Sequence, residues 1–232
     1  MRRFLSLPIF TRAGFILVFS SLLFSCSFFQ EPTEPIKKEL PKRGTLAVLG
    51  FIPALRPGQN AKAVIDPITG SVFMAEPIPS EQAHDLSVAL YQLVLKQKRY
   101  RLIPLGRARG ALMDLEITKP ELQDTPLQFF KEVGQKVGAD MVLAGYLYRW
   151  RERQGEAYGV TQAASVAFSV NLISVRDGRV LWADKFDRTQ HSLSENLLDV
   201  RMFFKGKGRW MTARELAVYG LETIWKKAPF NE

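Results

Sequence analysis

Apolar positions change rhythm several times along this chain. Thr45-Leu-Ala-Val-Leu-Gly-Phe51 is an unbroken run bounded by Gly44 and Pro53, which predicts a strand covered on both faces. Residues 52–79 carry Pro53, Pro57, Gly58, Pro67, Gly70, Pro77 and Pro79 and read as a long irregular loop. From Ser80 the spacing becomes helical. Ser80 is placed to N-cap, Glu81 suits the first turn, and Ala83, Leu86, Leu90, Leu93 and Val94 share a face. Arg101–Leu105 predicts a short second strand whose end is marked by Pro104. A further helix is announced by Thr125, Pro126 and Gln128, a capping box with proline at the first helical position. Its inner stripe is Leu127, Phe130, Val133 and Val137, and Gly138 is placed as a left-handed C-cap. Ala139–Trp150 then resumes extended structure. A β-α-β-α-β order of this kind implies parallel strands joined by helical crossovers.

Beyond Trp150 the period falls to two. Val166, Phe168, Val170 and Leu172 alternate with Ala167, Ser169, Asn171 and Ile173. Asp177-Gly178 then predicts a tight hairpin turn into Val180–Phe186. Strands from about 140, 160 and 179 therefore form an antiparallel meander. Two capping boxes, Ser192…Glu195 and Thr212…Glu215, each open a helix. The last helix carries Leu216, Tyr219, Gly220 and Ile224 on one side and ends at Lys226-Lys227, cations that suit the helix dipole. The fold class expected is α/β, a single mixed sheet packed with helices: a parallel β-α-β-α-β start and an antiparallel end.

The first twenty-five residues stand apart. They hold Arg2, Arg3 and Arg12, no acid, and an apolar run from Gly14 to Phe24, the composition of an export signal. That run is shorter than the roughly 20 residues a membrane-spanning helix needs. It leads to Leu23-Phe24-Ser25-Cys26, which resembles the lipobox of bacterial lipoproteins. The resemblance implies that Cys26 becomes the mature N-terminus and takes fatty acids such as palmitate, several of which hold a domain durably to a bilayer. Ser27 in the next position resembles the lipoproteins sorted to the outer membrane and facing the periplasm, with the inner membrane and the cell surface as alternatives. The organisation expected is thus a signal peptide at 1–25, a lipidated cysteine and disordered tether at 26–44, and a periplasmic α/β domain at 45–232. The tether reading follows from Pro32, Pro35, Pro41 and the charges around them, which bury no apolar area. Fully extended, the segment from Ser27 to Gly44 would reach roughly 55 Å.

Composition adds constraints. Cys26 is the only cysteine, so no intramolecular disulfide supports the fold. The net charge of +9 falls to +6 without the three leader arginines, a balance that permits an acidic partner surface; export argues against nucleic acid. Catalytic groupings are missing from the pattern. His84 and His191 are far apart with no nucleophile beside either, and both read as solvated helix-end residues. Gly206-Lys207-Gly208 has the look of a phosphate loop, but Arg201 stands where its first glycine belongs and no hydroxyl follows Lys207. Asp184 and Asp187 read as surface ion-pair partners of neighbouring cations. The chain is read as non-enzymatic, with no cofactor and no metal.

The leading Leu-Ala-Val-Leu-Gly-Phe strand, the later Gly-Ala-Asp-Met-Val-Leu-Ala-Gly segment at 138–145, and Asp-Gly-Arg-Val-Leu-Trp at 177–182 resemble a periplasmic α/β domain. It is shared by lipoprotein activators of penicillin-binding proteins, curli-secretion lipoproteins and the amino-terminal domain of the Tol translocation protein. The resemblance spans about Thr45 to Trp182. It implies an accessory that contacts other envelope proteins, a peptidoglycan synthase among them, and no catalytic residues. The pore of the curli branch needs paired membrane strands of about 9–11 residues; the prolines of 52–79 and the charges of 105–124 (Arg107, Arg109, Asp114, Glu116, Lys119) argue against it.

Two patches are candidate partner-binding surfaces. Arg149, Arg151 and Arg153 alternate on a strand opposite Tyr148, Trp150 and Glu152, a cationic stripe for an acidic partner or, equally, a guard on an edge strand. Lys205, Lys207, Arg209 and Trp210 join cations to aromatics between two helices, residue types common at interface anchors. The reading is a lipid-anchored accessory of cell-wall synthesis or assembly. Its rivals are an oligomeric secretion or structural component and a glycan- or small-molecule-binding module, the last requiring a concave pocket with convergent polar groups. Radiolabelled fatty acid is expected on the wild-type protein and not on Cys26→Ala; an unlabelled wild type would refute lipidation.

Overall fold

In the computed structural model, which describes residues 36–37, 40–41, 43–156, 159–190 and 209–231, the apolar run at 45–51 sits inside a six-stranded sheet. The leader, Cys26, His191, the Ser192…Glu195 box, Lys205 and Lys207 lie outside the described residues. In chain order the elements are β1 (Ile36–Lys37), β2 (Thr45–Pro53), β3 (Lys62–Ile65), β4 (Val72–Ala75), α1 (Ser80–Gln97), β5 (Arg101–Ile103) and α2 (Leu105–Thr118). They continue as α3 (Pro126–Val137), β6 (Met141–Arg151), β7 (Gln154–Glu156), β8 (Gly159–Gln162), β9 (Ser165–Ser174), β10 (Val180–Thr189) and α4 (Ala213–Trp225).

The sheet order is β1-β10-β9-β6-β2-β5. β2 pairs in parallel with β5 and β6, whereas β6, β9 and β10 form the antiparallel meander, so the mixed α/β architecture is as expected. Both faces are covered. Leu46 and Val48 point to one face with Leu86, Leu90, Leu216 and Ile224 of α1 and α4; Ala47 and Leu49 point to the other with Leu112, Phe130 and Val133 of α2 and α3. This is why β2 reads as continuous rather than alternating. Each fully buried Leu, Val or Phe contributes about 1.5–3 kcal/mol of transfer free energy. Even Ser165, Ser169 and Asn171 of β9 are fully buried.

Several expectations need correction. The loop at 52–79 contains the β3–β4 hairpin, a separate two-stranded sheet. The helix α2 was not anticipated at all: its buried stripe is mostly small, Ala108, Ala111, Leu112 and Leu115, and Gly106 and Gly110 each lower helix propensity by about 1 kcal/mol relative to alanine. Leu105 belongs to that helix, so β5 ends at Ile103. Ser80 is the first helical residue of α1; Pro79 occupies the cap position and no side chain caps. The capping box at Thr125 does not form. Residues Pro120–Asp124 make a 3-10 turn, and its Leu122 carbonyl accepts both the Thr125 N–H (3.0 Å) and its hydroxyl (3.3 Å), while Gln128 reaches forward to Glu132. Residues 154–162 form the small β7–β8 hairpin, so the meander strand starts at Ser165. The turn before β10 is longer than two residues: Gly178 (φ +71°) donates to the Ser174 carbonyl at 2.9 Å. By contrast Gly138 is a left-handed cap (φ +72°) and the Thr212/Glu215 capping box forms.

β2 makes its closest contact with α1 at Gly50. A register shift lies between Val48 and Gly50, and Gly50 adopts φ +82°. A Cβ there would stand 2.3 Å from Ser87 Oγ. That hydroxyl, fully buried, accepts from Phe51 N–H (2.8 Å) and Arg109 Nη1 (3.0 Å) and donates to the Ala83 carbonyl (2.6 Å). One side chain thus joins β2, α1 and α2. Gly50→Ala is expected to cost roughly 3 kcal/mol or more, and Ser87→Ala about 1–3 kcal/mol through orphaned donors. Urea denaturation measures both; a Gly50→Ala protein as stable as wild type would contradict the contact.

Candidate functional site

Parallel pairing gives the sheet two distinct poles. The carboxyl pole, where β2 and β6 end, carries the features most able to bind a partner, as open α/β sheets do at their strand ends. The β3–β4 hairpin is fastened there. Asp66, 1% exposed, holds the hairpin loop: Oδ1 accepts Ile68 and Thr69 N–H at 2.8 Å each, and Oδ2 accepts the Tyr148 hydroxyl at 2.7 Å. Burial, reinforced by the Asp66 charge, pushes the Tyr148 hydroxyl far above its ordinary pKa, so it remains a donor. Phe73 stacks on Tyr148 with centroids 4.1 Å apart.

A register shift between Leu147 and Arg149 turns Tyr148 and Arg149 toward the same covering elements. Arg149 is 8% exposed: its Nε donates to Ser165 Oγ (2.7 Å), its Nη1 to the Met74 carbonyl (3.2 Å), and it pairs with Asp187. Arg151 pairs with Glu76, which follows β4. Arg153 lies past the end of β6 and donates to the Gly155 carbonyl at 3.3 Å. Two of the three arginines in the expected stripe therefore clamp the hairpin rather than face solvent as a row, and at these residues β6 is flanked by β9. Of the second patch, Arg209 and Trp210 are described. Arg209 makes a bidentate pair with Glu215 (3.0 and 2.5 Å), the same carboxylate that closes the capping box of α4, and Trp210 is half-buried. That pairing holds the Glu215 carboxyl below its usual range. Glu152 supports the same helix end by accepting Ala213 N–H.

With its inner face locked, the hairpin shows an apolar outer face. The rungs Ala63–Met74 and Ile65–Val72 face outward, and Ile65, Val72 and Met74 are 66, 63 and 57% exposed. Contiguous exposed apolar side chains on a rigid support mark an interaction surface. Beside it, a cleft of about 780 Å³ opens between the end of β2, the start of α1 and α2. Phe51, Ile52, Ile78 and Leu112 form its apolar wall, and Arg56, Arg109 and Glu116 are its charges. Burial pushes Glu116 up, against the pull of Arg56 and Arg109, and pushes Arg109 down, against Glu116.

Sequence reasoning missed both features. The hairpin was signalled by Val64-Ile65-Asp66 and Gly70-Ser71-Val72-Phe73, apolar runs flanking a turn. The cleft's charges were visible only as interruptions. Asp184 and Asp187 do not form a carboxylate pair: Asp187 serves Arg149, whereas Asp184 is half-buried and its carboxyl is pushed up by desolvation. His84 is exposed in the first turn of α1. Among the described residues no cluster of three His, Cys, Asp or Glu converges as a metal site, and no helix is long and apolar enough to cross a membrane.

Comparison with protein-family models and with curated proteins finds no match. Among solved structures the chain is similar to the PelC dodecamer of Paraburkholderia phytofirmans (14% identity, TM-score 0.44, covering 82% of this chain and 91% of that one). It is also similar to lipoprotein GNA1162 from Neisseria meningitidis (14%, 0.41, 71% and 91%) and to the LpoB C-terminal domain from Salmonella enterica (14%, 0.39, 66% and 88%). At such identities no residue role carries over. Arg149→Met is expected to lower stability by roughly 1–3 kcal/mol through unpaired buried groups and to speed proteolysis within residues 56–74. Cleavage at the wild-type rate would show that Arg149 does not hold the hairpin.

Proposed function

We propose that this protein is a non-enzymatic envelope accessory, anchored to the outer membrane through Cys26, that binds another envelope protein with the carboxyl pole of its sheet. The observation that carries the proposal is the outward apolar face of the β3–β4 hairpin, Ile65, Val72 and Met74, held rigid by Asp66, Tyr148, Arg149 and Arg151. Leaving such side chains in water is unfavourable by about 25 cal/mol per Å², and a partner that covers them recovers that free energy. The likeness to activator lipoproteins makes a peptidoglycan synthase the partner to test first.

A second reading has its own support: the mixed cleft with Arg56, Arg109 and Glu116 is a concave site with convergent polar groups, as a glycan- or small-molecule-binding module requires. Crosslinking in intact cells separates these readings. Wild type is expected to capture an envelope protein, and Ile65→Glu/Val72→Glu to lose that capture at unchanged melting temperature. Cys26→Ala is expected to weaken it by removing the anchor. Capture of further copies of this chain alone would overturn the proposal in favour of the oligomeric component, and capture unaffected by the hairpin substitutions would remove the hairpin as the surface.

A further inference from the structure

The amino pole of the sheet has a different chemistry. Register places Arg101 beside Thr45, Leu46 beside Met141, Met141 beside Ser174, and Ile173 beside Val180, so one row crosses the sheet from β5 to β10. Exposed cations stand along or just below it: Arg43, Lys98, Arg101, Arg176 and Arg179. The acids of this row are Asp140, whose Oδ2 accepts Thr45 N–H at 2.7 Å, and Asp177, which pairs with Arg179 at 2.7 Å. Asp177 is held down to about 2 by hydrogen bonds from Ser174 and Arg179, and it also lies 4.0 Å from Arg176. Cations remain in excess.

Three of these arginines meet in a cleft of about 760 Å³. Arg43, Arg176 and Arg179 stand on its rim, Leu40, Met141, Val175 and Leu181 supply apolar wall, and Asp140 is its acid. Arg176 is 86% exposed at its side chain. Guanidinium groups over an apolar floor match a phosphodiester headgroup joined to the upper part of an acyl chain.

The same pole is where the N-terminal segment joins the domain. Ile36 and Lys37 pair with Ala183 and Trp182 of β10, and the Tyr100 hydroxyl donates to the Pro41 carbonyl at 2.8 Å. β1 runs antiparallel to β10 and toward this pole, and ten residue steps bound the distance from Cys26 to Ile36 at about 35 Å. That bound keeps an anchored domain near anionic headgroups, whose attraction to a basic pole acts within about a Debye length.

We propose that the amino pole is a docking surface for an anionic phospholipid bilayer, with the Arg43/Arg176/Arg179 cleft receiving a headgroup phosphate. The proposal takes from the anchored-lipoprotein reading only that the domain stays near lipid, and the binding itself is tested without the anchor. The chain from Ser27 to Glu232, which carries every described residue and no acyl group, is mixed with phosphatidylcholine vesicles containing roughly one-third phosphatidylglycerol, and with pure phosphatidylcholine vesicles. Co-sedimentation is expected to favour the anionic vesicles at least about ten-fold and to fall when salt screens the charges. Arg43→Glu/Arg176→Glu is expected to remove that preference with an unchanged melting temperature, whereas Lys62→Glu/Arg107→Glu, at the other pole, retains it. Equal binding to both vesicle types, full binding by the Arg43→Glu/Arg176→Glu protein, or binding only to a soluble anionic polymer would each overturn the proposal. Partner crosslinking through the hairpin is a separate readout, so this surface and the protein-binding surface stand or fall independently.

Discussion

The architecture depends on how closely α1 approaches β2. A helix lying on a sheet is normally held about 10 Å away by side chains on both elements; here Gly50 has none, and Ser87 fills the space with a hydroxyl that serves three partners. The kink in register at Gly50 gives Phe51 N–H an acceptor on α1 instead of one in the ladder. Because Arg109 donates to the same oxygen, α2 on the opposite face is tied to the end of the same strand. The cleft beyond β2 therefore has walls joined through one hydroxyl group, and its Arg109 is positioned by that contact.

The carboxyl pole shows a second consequence of local irregularity. A regular β6 would send Tyr148 and Arg149 to opposite faces. The bulge lets both meet the hairpin, one by stacking and a hydroxyl–carboxylate bond, the other by a carbonyl contact and an ion pair. An isolated two-stranded hairpin is marginal in water, so these contacts determine whether β3 and β4 exist as strands. Their polar groups are used inward, which leaves Ile65, Val72 and Met74 outside with nothing polar to shield them. Arg149 reaches the hairpin through the Met74 carbonyl and Arg151 through the Glu76 carboxylate.

Features set by neighbours in sequence were legible, and features set by distant partners were not. The β2 run, the parallel-then-antiparallel order, the Gly138 cap and the Thr212/Glu215 box all follow from a few adjacent residues. The Thr125 box failed because a preceding turn offered a nearer acceptor, Leu122 O. The helix α2 escaped because its buried face is built from Ala108 and Ala111, too small to stand out against two glycines and four charges. Arg149 and Arg151 do share one face of a strand, with Arg153 past its end, but spacing cannot show that a hairpin some seventy-five residues earlier covers that face. Prolines flanking 62–75 drew the reading toward an irregular loop, although Pro67 sits in the hairpin turn and interrupts neither strand.

Strand direction connects these observations to the membrane. In an antiparallel sheet the two ends are chemically alike, since each receives both strand starts and strand ends. Parallel β2, β5 and β6 break that equivalence: the starts gather Arg43, Arg101 and the β9–β10 turn with Arg176 and Arg179, while the ends gather the hairpin and the cleft beside it. β1 runs antiparallel to β10, toward the basic end, where Leu40, Pro41 and Arg43 line the cleft. If that end docks on a bilayer as proposed, the cleft at the end of β2 is turned away from it. The topology that buries β2 on both faces thus sets the arginine cleft and the cleft beside α2 at opposite ends of that strand.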